Sequence, residues 1–176
     1  MNKYDYKNKV AIVTGASSGI GEVYARKLAA KGSHVVLVAR SKNKLDVLAK
    51  EIHRQYGIQA YALACDLSQA DAPRQLEEQI AELGLSVDVL INNAGFATYG
   101  RFEEADPQRE QEEIMLNTAA LVDLTHRFLP EMLKRGPVSG GYRDGVLRCR
   151  RRSQDVRRPK TLDPGKGGPG GFSRNR

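Results

Sequence analysis

Tryptophan is absent from this chain of 176 residues, aromatic side chains make up 6% of it, and there are only two cysteines. A core must therefore be built largely from aliphatic side chains. Cys65 and Cys149 have neither metal-ligand spacing nor the density of a disulfide framework, so a stapled miniature scaffold is excluded. Long hydrophobic runs are missing too. No stretch approaches the roughly 20 apolar residues that cross a bilayer, and the opening MNKYDYKNK has no apolar segment behind its charges. A cytoplasmic protein without membrane contact is the expectation. His34, His53 and His126 fall in separate elements, so no metal site is expected.

The net charge of +7 is unevenly spread. Residues 1–136 hold 17 Lys plus Arg against 18 Asp plus Glu, whereas residues 137–176 hold 11 against 3. The body is thus nearly neutral and gives no reason to expect nucleic acid as a specific partner. The tail carries 8 Gly and 4 Pro, too few apolar residues to cover a sheet, and the basic run RCRRRSQDVRRPK. Disorder is expected there, with salt-dependent attachment to polyanions as its only suggested property. Two regions follow: 1–136 as a patterned body and 137–176 as an Arg/Gly/Pro-rich tail.

Within the body, apolar runs alternate with helical patterns. Val10 to Thr14 reads as a strand that feeds the glycine-rich turn GASSGIG, with a helix from Glu22 toward Gly32. Ser33 to Ala39 is apolar enough to be covered on both faces. A helix over 42–56 follows, with Ser41 as its cap, Leu45, Leu48 and Ile52 as its buried row, and Gly57 as its stop. Ile58 to Cys65 predicts a third strand, and Pro73 to Leu83 a helix with Leu76, Ile80 and Leu83 inward. Val87 to Ile91 predicts a fourth strand. A long helical region from Pro107 to about Lys134, interrupted near Pro130, presents Ile114, Leu121, Leu124 and Phe128.

This alternation implies an α/β fold with a right-handed crossover sheet of parallel strands. Ligands of such sheets bind beyond the strand C-termini. Gly15, Arg40, Asp66 and Asn93 all fall there, so four strand ends point to one site.

TGASSGIG at 14–21, Arg40 after the second strand, Asp66 after the third, NNAG at 92–95 and Asn117 in the long helix together resemble the short-chain dehydrogenase/reductase family over residues 8–136. The resemblance implies a Rossmann-like doubly wound parallel sheet truncated after the fifth helix, with 1–136 as a partial dinucleotide-binding domain. The resemblance implies that Gly15, Ser17, Ser18 and Gly19 receive the cofactor pyrophosphate, with Ile20 beside it and Gly21 allowing close helix packing. It further implies Asp66 and Leu67 near the adenine, and Asn93, Ala94 and Gly95 along the ribose. A turn-capping role for Asp66 and a purely structural strand-to-loop junction at NNAG stay open beside these. Cofactor choice turns on Ala39, Arg40 and Ser41, where a carboxylate would favour NAD(H). Arg40, with Ser41 as second donor, is instead expected to pair with a 2′-phosphate, so NADP(H) is preferred over NAD(H). A surface arginine at a strand end is the alternative.

In the family Asn117 would support a water and the catalytic lysine. A buried structural asparagine is the competing reading. The family's serine and its tyrosine four residues before a lysine are not found: after Asn117 the only tyrosine is Tyr142, and Val146 stands four residues on. The expected activity is hydride transfer between the nicotinamide and an unknown small carbonyl or alcohol, or, alternatively, cofactor binding by a catalytically incomplete fragment. A polyanion-binding scaffold acting through the tail is a third reading. Without the following strands, the fourth strand is expected to form an edge or pair irregularly, and a family-type homo-oligomer is not expected. The change of character at Gly136 resembles a reading-frame change, which the surrounding DNA would reveal.

Overall fold

The computed structural model describes residues 5–135 and the backbone of 146–148. Four strands, β1 (Val10–Thr14), β2 (His34–Ala39), β3 (Ala60–Ala64) and β4 (Val89–Ile91), run parallel. A fifth, β5 (Val146–Arg148), lies antiparallel to β4, and the order across the sheet is β3-β2-β1-β4-β5. Helices α1 (Gly19–Ala29), α2 (Lys42–Tyr56), α3 (Ala72–Glu82), α4 (Pro107–Ile114) and α5 (Ala120–Lys134) complete the body. The doubly wound α/β reading thus holds.

Pleating divides the core in two. Along β1, Ala11 and Val13 join Val35, Leu37, Val89 and Ile91 against α1 and α2, whereas Ile12 joins Val36, Val38 and Leu90 against α3 and α5. Successive strand side chains point to opposite faces, so a run apolar at every position must be covered twice. Each buried leucine or isoleucine contributes roughly 1.5–3 kcal/mol. At the sheet end opposite the strand C-termini, the buried Asp88 accepts from Val10 N at 3.1 Å, joining β4 to β1.

Several boundaries differ from the sequence expectation. The second half of the glycine-rich turn, Gly19–Gly21, is the start of α1, which begins at Gly19 and not at Glu22, because Ser18 is the extended residue that precedes the helix. Ser41 occupies the cap position of α2 but makes no side-chain cap bond. Gly57, at φ 68°, ends α2 where the pattern placed the stop. Leu83 is exposed; the chain has already left α3, and Leu85 packs against the core in its place.

The long helix does not break at Pro130, which lies inside α5 with buried Phe128 and Met132 on either side. Proline forfeits one backbone bond there, and the packing of its neighbours holds the turn. The irregularity instead lies at Met115–Ala119, a π turn between α4 and α5. A π turn takes more residues per revolution than an α-helix, so the buried row Ala120, Leu124, Phe128 and Met132 does not extend back to Ile114. Ile114 is exposed accordingly.

The edge expected at β4 is replaced by regular pairing, Val89 with Arg148, Leu90 with Leu147 and Ile91 with Val146. An open strand edge offers a row of unmet backbone groups that another extended segment can satisfy. The remainder of the tail, for which disorder was expected, lies outside the described residues.

Candidate functional site

A cleft of about 530 Å³ lies beyond the C-terminal ends of the four parallel strands. Each strand delivers part of its lining. Gly15, Ser17 and Ser18 come from the turn after β1 and Ile20 from the first turn of α1, Arg40 and Ser41 from the link after β2, and Lys44 from the first turn of α2. Cys65, Asp66 and Leu67 follow β3; Asn93, Ala94, Gly95 and Phe96 follow β4; Leu116 comes from the π turn. Of the residues singled out in the sequence, only Gly19, Gly21 and Asn117 do not line it. Its volume falls within the roughly 300–1,000 Å³ typical of small-molecule sites.

The floor is held by a close approach of two strand ends. Gly15 has φ 67°, and a Cβ there would lie 2.9 Å from Ala94 Cα. A Cβ on Gly21 would overlap Gly15 O and lie 2.6 Å from Asn93 Nδ2. Only glycine fits at either position. Thr14, almost fully buried, ties the same ends together: Asn93 N and Ala94 N each donate to its Oγ1 at 2.9 Å, and that hydroxyl donates to Ile91 O at 3.3 Å. Asn93 Nδ2 in turn donates to Thr14 O at 3.0 Å. The Asn93 side chain is therefore occupied in holding β1, while the Ala94–Gly95 backbone borders the cleft.

Above this floor the cleft is open. A Cβ on Gly19 would meet nothing within 4 Å. The amides opening α1 have no partners inside the helix, so an anionic group can be received there. At the neighbouring rim, Arg40 and Lys44 form no ion pair among the described residues, whereas Lys42, between them in sequence, pairs with Asp46. The Ser41 hydroxyl is not spent on capping. Lys44 was not singled out from the sequence; its place one turn along from Arg40 was the available signal.

Asp66 Oδ1 accepts from Ser68 N at 3.1 Å and Ser68 Oγ at 2.8 Å, which gives the carboxylate a turn-capping role. That leaves Oδ2 as an acceptor beside the cleft. Cys65, also missed, has its thiol pushed up to about 11, first by burial and then by the carboxylates of Asp66 and Asp71. It stays protonated at neutral pH and is unsuited to nucleophilic work.

Asn117 lies in the π turn, and its amide pairs with the backbone of Phe96 in both directions: Oδ1 accepts from Phe96 N at 3.2 Å, and Nδ2 donates to Phe96 O at 2.8 Å. It fixes the loop after β4, and it is exposed, not buried as the structural alternative supposed. Among the described residues no group of three His, Cys, Asp or Glu could hold a metal, and no helix is long and apolar enough to cross a membrane.

The family model described as short chain dehydrogenase matches residues 9–139. The chain belongs to the short-chain dehydrogenase family. Among curated members, a fatty acyl-CoA reductase of Acinetobacter baylyi is 44% identical over 131 residues, covering 73% of this chain and 44% of the relative. A very-long-chain 3-oxoacyl-CoA reductase of Meyerozyma guilliermondii is 40% identical over 130 residues, covering 72% and 38%. Among solved structures, a short-chain dehydrogenase from Sphingobium yanoikuyae in complex with NADPH aligns with a TM-score of 0.68 at 37% identity, covering 73% of this chain and 50% of that one. The chain spans half or less of the length of all three.

Proposed function

We propose that this short-chain dehydrogenase chain binds NADP(H) in the cleft, in preference to NAD(H), with Arg40 and Ser41 on the 2′-phosphate. The observation that carries the reading is an arginine that forms no ion pair among the described residues, beside a serine hydroxyl not used in capping, both on the rim of a glycine-floored cleft. The relative solved with NADPH supports it. In this reading Gly15, Ser17, Ser18, Gly19 and Ile20 surround the pyrophosphate, Gly21 lets α1 approach β4, Asp66 and Leu67 border the adenine, and Ala94 and Gly95 border the ribose, with Asn93 holding them. In the family, a bound nicotinamide exchanges a hydride with a carbonyl or alcohol.

Titration of the purified chain with NADPH and NADH by cofactor fluorescence tests the preference. Arg40→Ala is expected to weaken NADPH binding about 10- to 100-fold, the loss of charge-assisted hydrogen bonds, with NADH little changed. Equal affinity of the unaltered chain for the two cofactors across several salt concentrations would overturn the preference.

Reduction of a carbonyl also needs a proton donor and a group that stabilises the developing oxyanion. The family's serine and Tyr-x-x-x-Lys are not present after Asn117. Asn117 would serve the proton relay only together with such a tyrosine and lysine; here it holds the loop at Phe96. We therefore infer that the chain binds the cofactor without turning it over. At high protein concentration, NADPH oxidation over a panel of ketones and acyl-CoA carbonyl compounds is expected to stay at the background rate. Saturable turnover that disappears with Arg40→Ala would refute this.

A further inference from the structure

We propose that the outer edge of β4 is a self-association surface, held closed by β5 of the same chain and taken by β4 of a second copy when β5 is displaced. Val89, Leu90 and Ile91 are all buried, Val89 and Ile91 toward one face of the sheet and Leu90 toward the other. Their side chains are spent on the two halves of the core, so β4 presents only backbone along its outer side. One row of its backbone groups meets β1 at Ala11, Ile12 and Val13, and the other meets β5. A backbone row pairs with any extended segment regardless of its side chains, so proximity decides which segment fills it.

Proximity favours β5. The guanidinium of Arg135, directly after α5, donates to Val87 O beside the start of β4. Val146 pairs with Ile91 at the far end of β4, and β5 runs back to Arg148 beside Val89. From Val87 to Ile91 is about 13 Å of strand, whereas the ten residues 136–145 can span about 33 Å. A tether of that length gives β5 an effective concentration in the millimolar range, above that of a second molecule. The same segment also limits further growth of the sheet. VLRCRRR at 146–152 holds Arg148, Arg150, Arg151 and Arg152, so a copy adding beside β5 would set like charges against each other. The bare β4 edge has no such guard. Within 85–93 the single charged residue is Asp88, which is buried and accepts from Val10 N. β4 already takes an antiparallel neighbour, and a two-fold axis normal to the sheet presents β4 of a second copy in that same orientation.

Sedimentation velocity over a range of concentrations, combined with amide hydrogen exchange at β4, tests this on the full chain. Proline cannot donate to a ladder. Leu147→Pro, and Val146→Pro together with Arg148→Pro as a second variant, between them remove the β5 donors whichever alternate residues face β4. A closed copy must open before it can pair, so the variant that removes the pairing is expected to strengthen self-association about 10- to 100-fold. The unaltered chain, when dilute, is expected to be monomeric and to protect the β4 amides that face β5. The variant is expected to lose that protection when dilute and to regain it as it associates. Adding Val122→Lys, on the exposed face of α5, is expected to leave this association unchanged. Free exchange of those amides in the dilute unaltered chain would overturn the proposal without recourse to any variant. So would variants that melt cooperatively yet stay monomeric, that associate without regaining protection at β4, or whose association Val122→Lys abolishes. Loss of the cooperative melt in both variants would make β5 an integral part of the fold and no displaceable cap, and would overturn it too.

Discussion

Gly21→Ala is expected to destabilise the body by about 3 kcal/mol and to abolish measurable cofactor binding, because the added methyl has no direction in which to yield. Its Cβ would overlap the carbonyl oxygen of Gly15 and lie 2.6 Å from Asn93 Nδ2. The first of these is backbone at the end of β1, and the second donates to Thr14 O at 3.0 Å. Relief requires α1 to move away from the strand ends, and the floor of the cleft moves with it. Urea unfolding of the two proteins, with NADPH titration under folding conditions, measures both effects. Gly19→Ala is the informative comparison. Gly19 has φ 60°, so alanine is strained there, but its Cβ meets nothing within 4 Å. A smaller loss is expected, about 1 kcal/mol. Gly21 has an ordinary helical backbone, so a loss there no larger than at Gly19 would remove the close approach as the reason glycine is needed.

Thr14→Val is expected to cost about 2 kcal/mol although the side chain keeps its shape and size. The hydroxyl accepts from Asn93 N and Ala94 N at 2.9 Å, and valine leaves both amides without that acceptor. Leaving a buried donor unpaired costs about 1–3 kcal/mol, and partial access of solvent to the loop keeps the sum of two near the middle of that range. Cofactor affinity should fall as well, since Ala94 and Gly95 are no longer held against β1. Thr14→Ser, which retains the hydroxyl, is expected to restore binding and most of the stability. Chemical denaturation combined with amide hydrogen exchange at Asn93 and Ala94 reads the effect directly. Unchanged exchange at those two amides in Thr14→Val would remove Thr14 from its position between the strands.

Much of the fold was legible because its signals are local. The run His34–Ala39 is apolar at nearly every position, and such a run can only be buried on both faces. The row Leu45, Leu48 and Ile52 repeats at helical spacing, and all three are buried in α2. The errors have a common physical origin. Ile114 satisfies the same spacing rule as Leu124 and Phe128, but the intervening π turn changes the phase of the helix, and no composition rule marks where such a turn falls. Leu83 was placed inward by periodicity, whereas the turn at Gly84, φ 66°, hands its role to Leu85. Pro130 argued for a break from its covalent chemistry alone, and packing of its neighbours overrode it.

The candidate site divides in the same way. The glycines, Arg40, Ser41, Asp66 and Asn93 could be named because they stand at strand ends, where α/β topology gathers ligand-binding groups whatever the ligand. Thr14 was passed over as the last residue of a strand, and its importance lies wholly in the two amides that reach it from a strand 77 residues or more away in the chain. Lys44 was passed over as one helix-surface lysine among several; only the pairing of Lys42 with Asp46 sets it apart.

By itself the sequence determined the alternation of strands and helices and the two-sided burial of the sheet, since periodicity and side-chain volume are properties of short stretches. It also determined which chemical groups stand at the strand ends. The tertiary structure alone decided which of those groups are already engaged: Asn93 with Thr14, Asp66 Oδ1 with Ser68, Asn117 with Phe96, and β4 with β5. It left Arg40, Ser41 and Lys44 facing the cleft. A hydrogen-bonding or charged group can satisfy a neighbour or a ligand, and which it does depends on distances of a few tenths of an ångström between segments far apart in the chain.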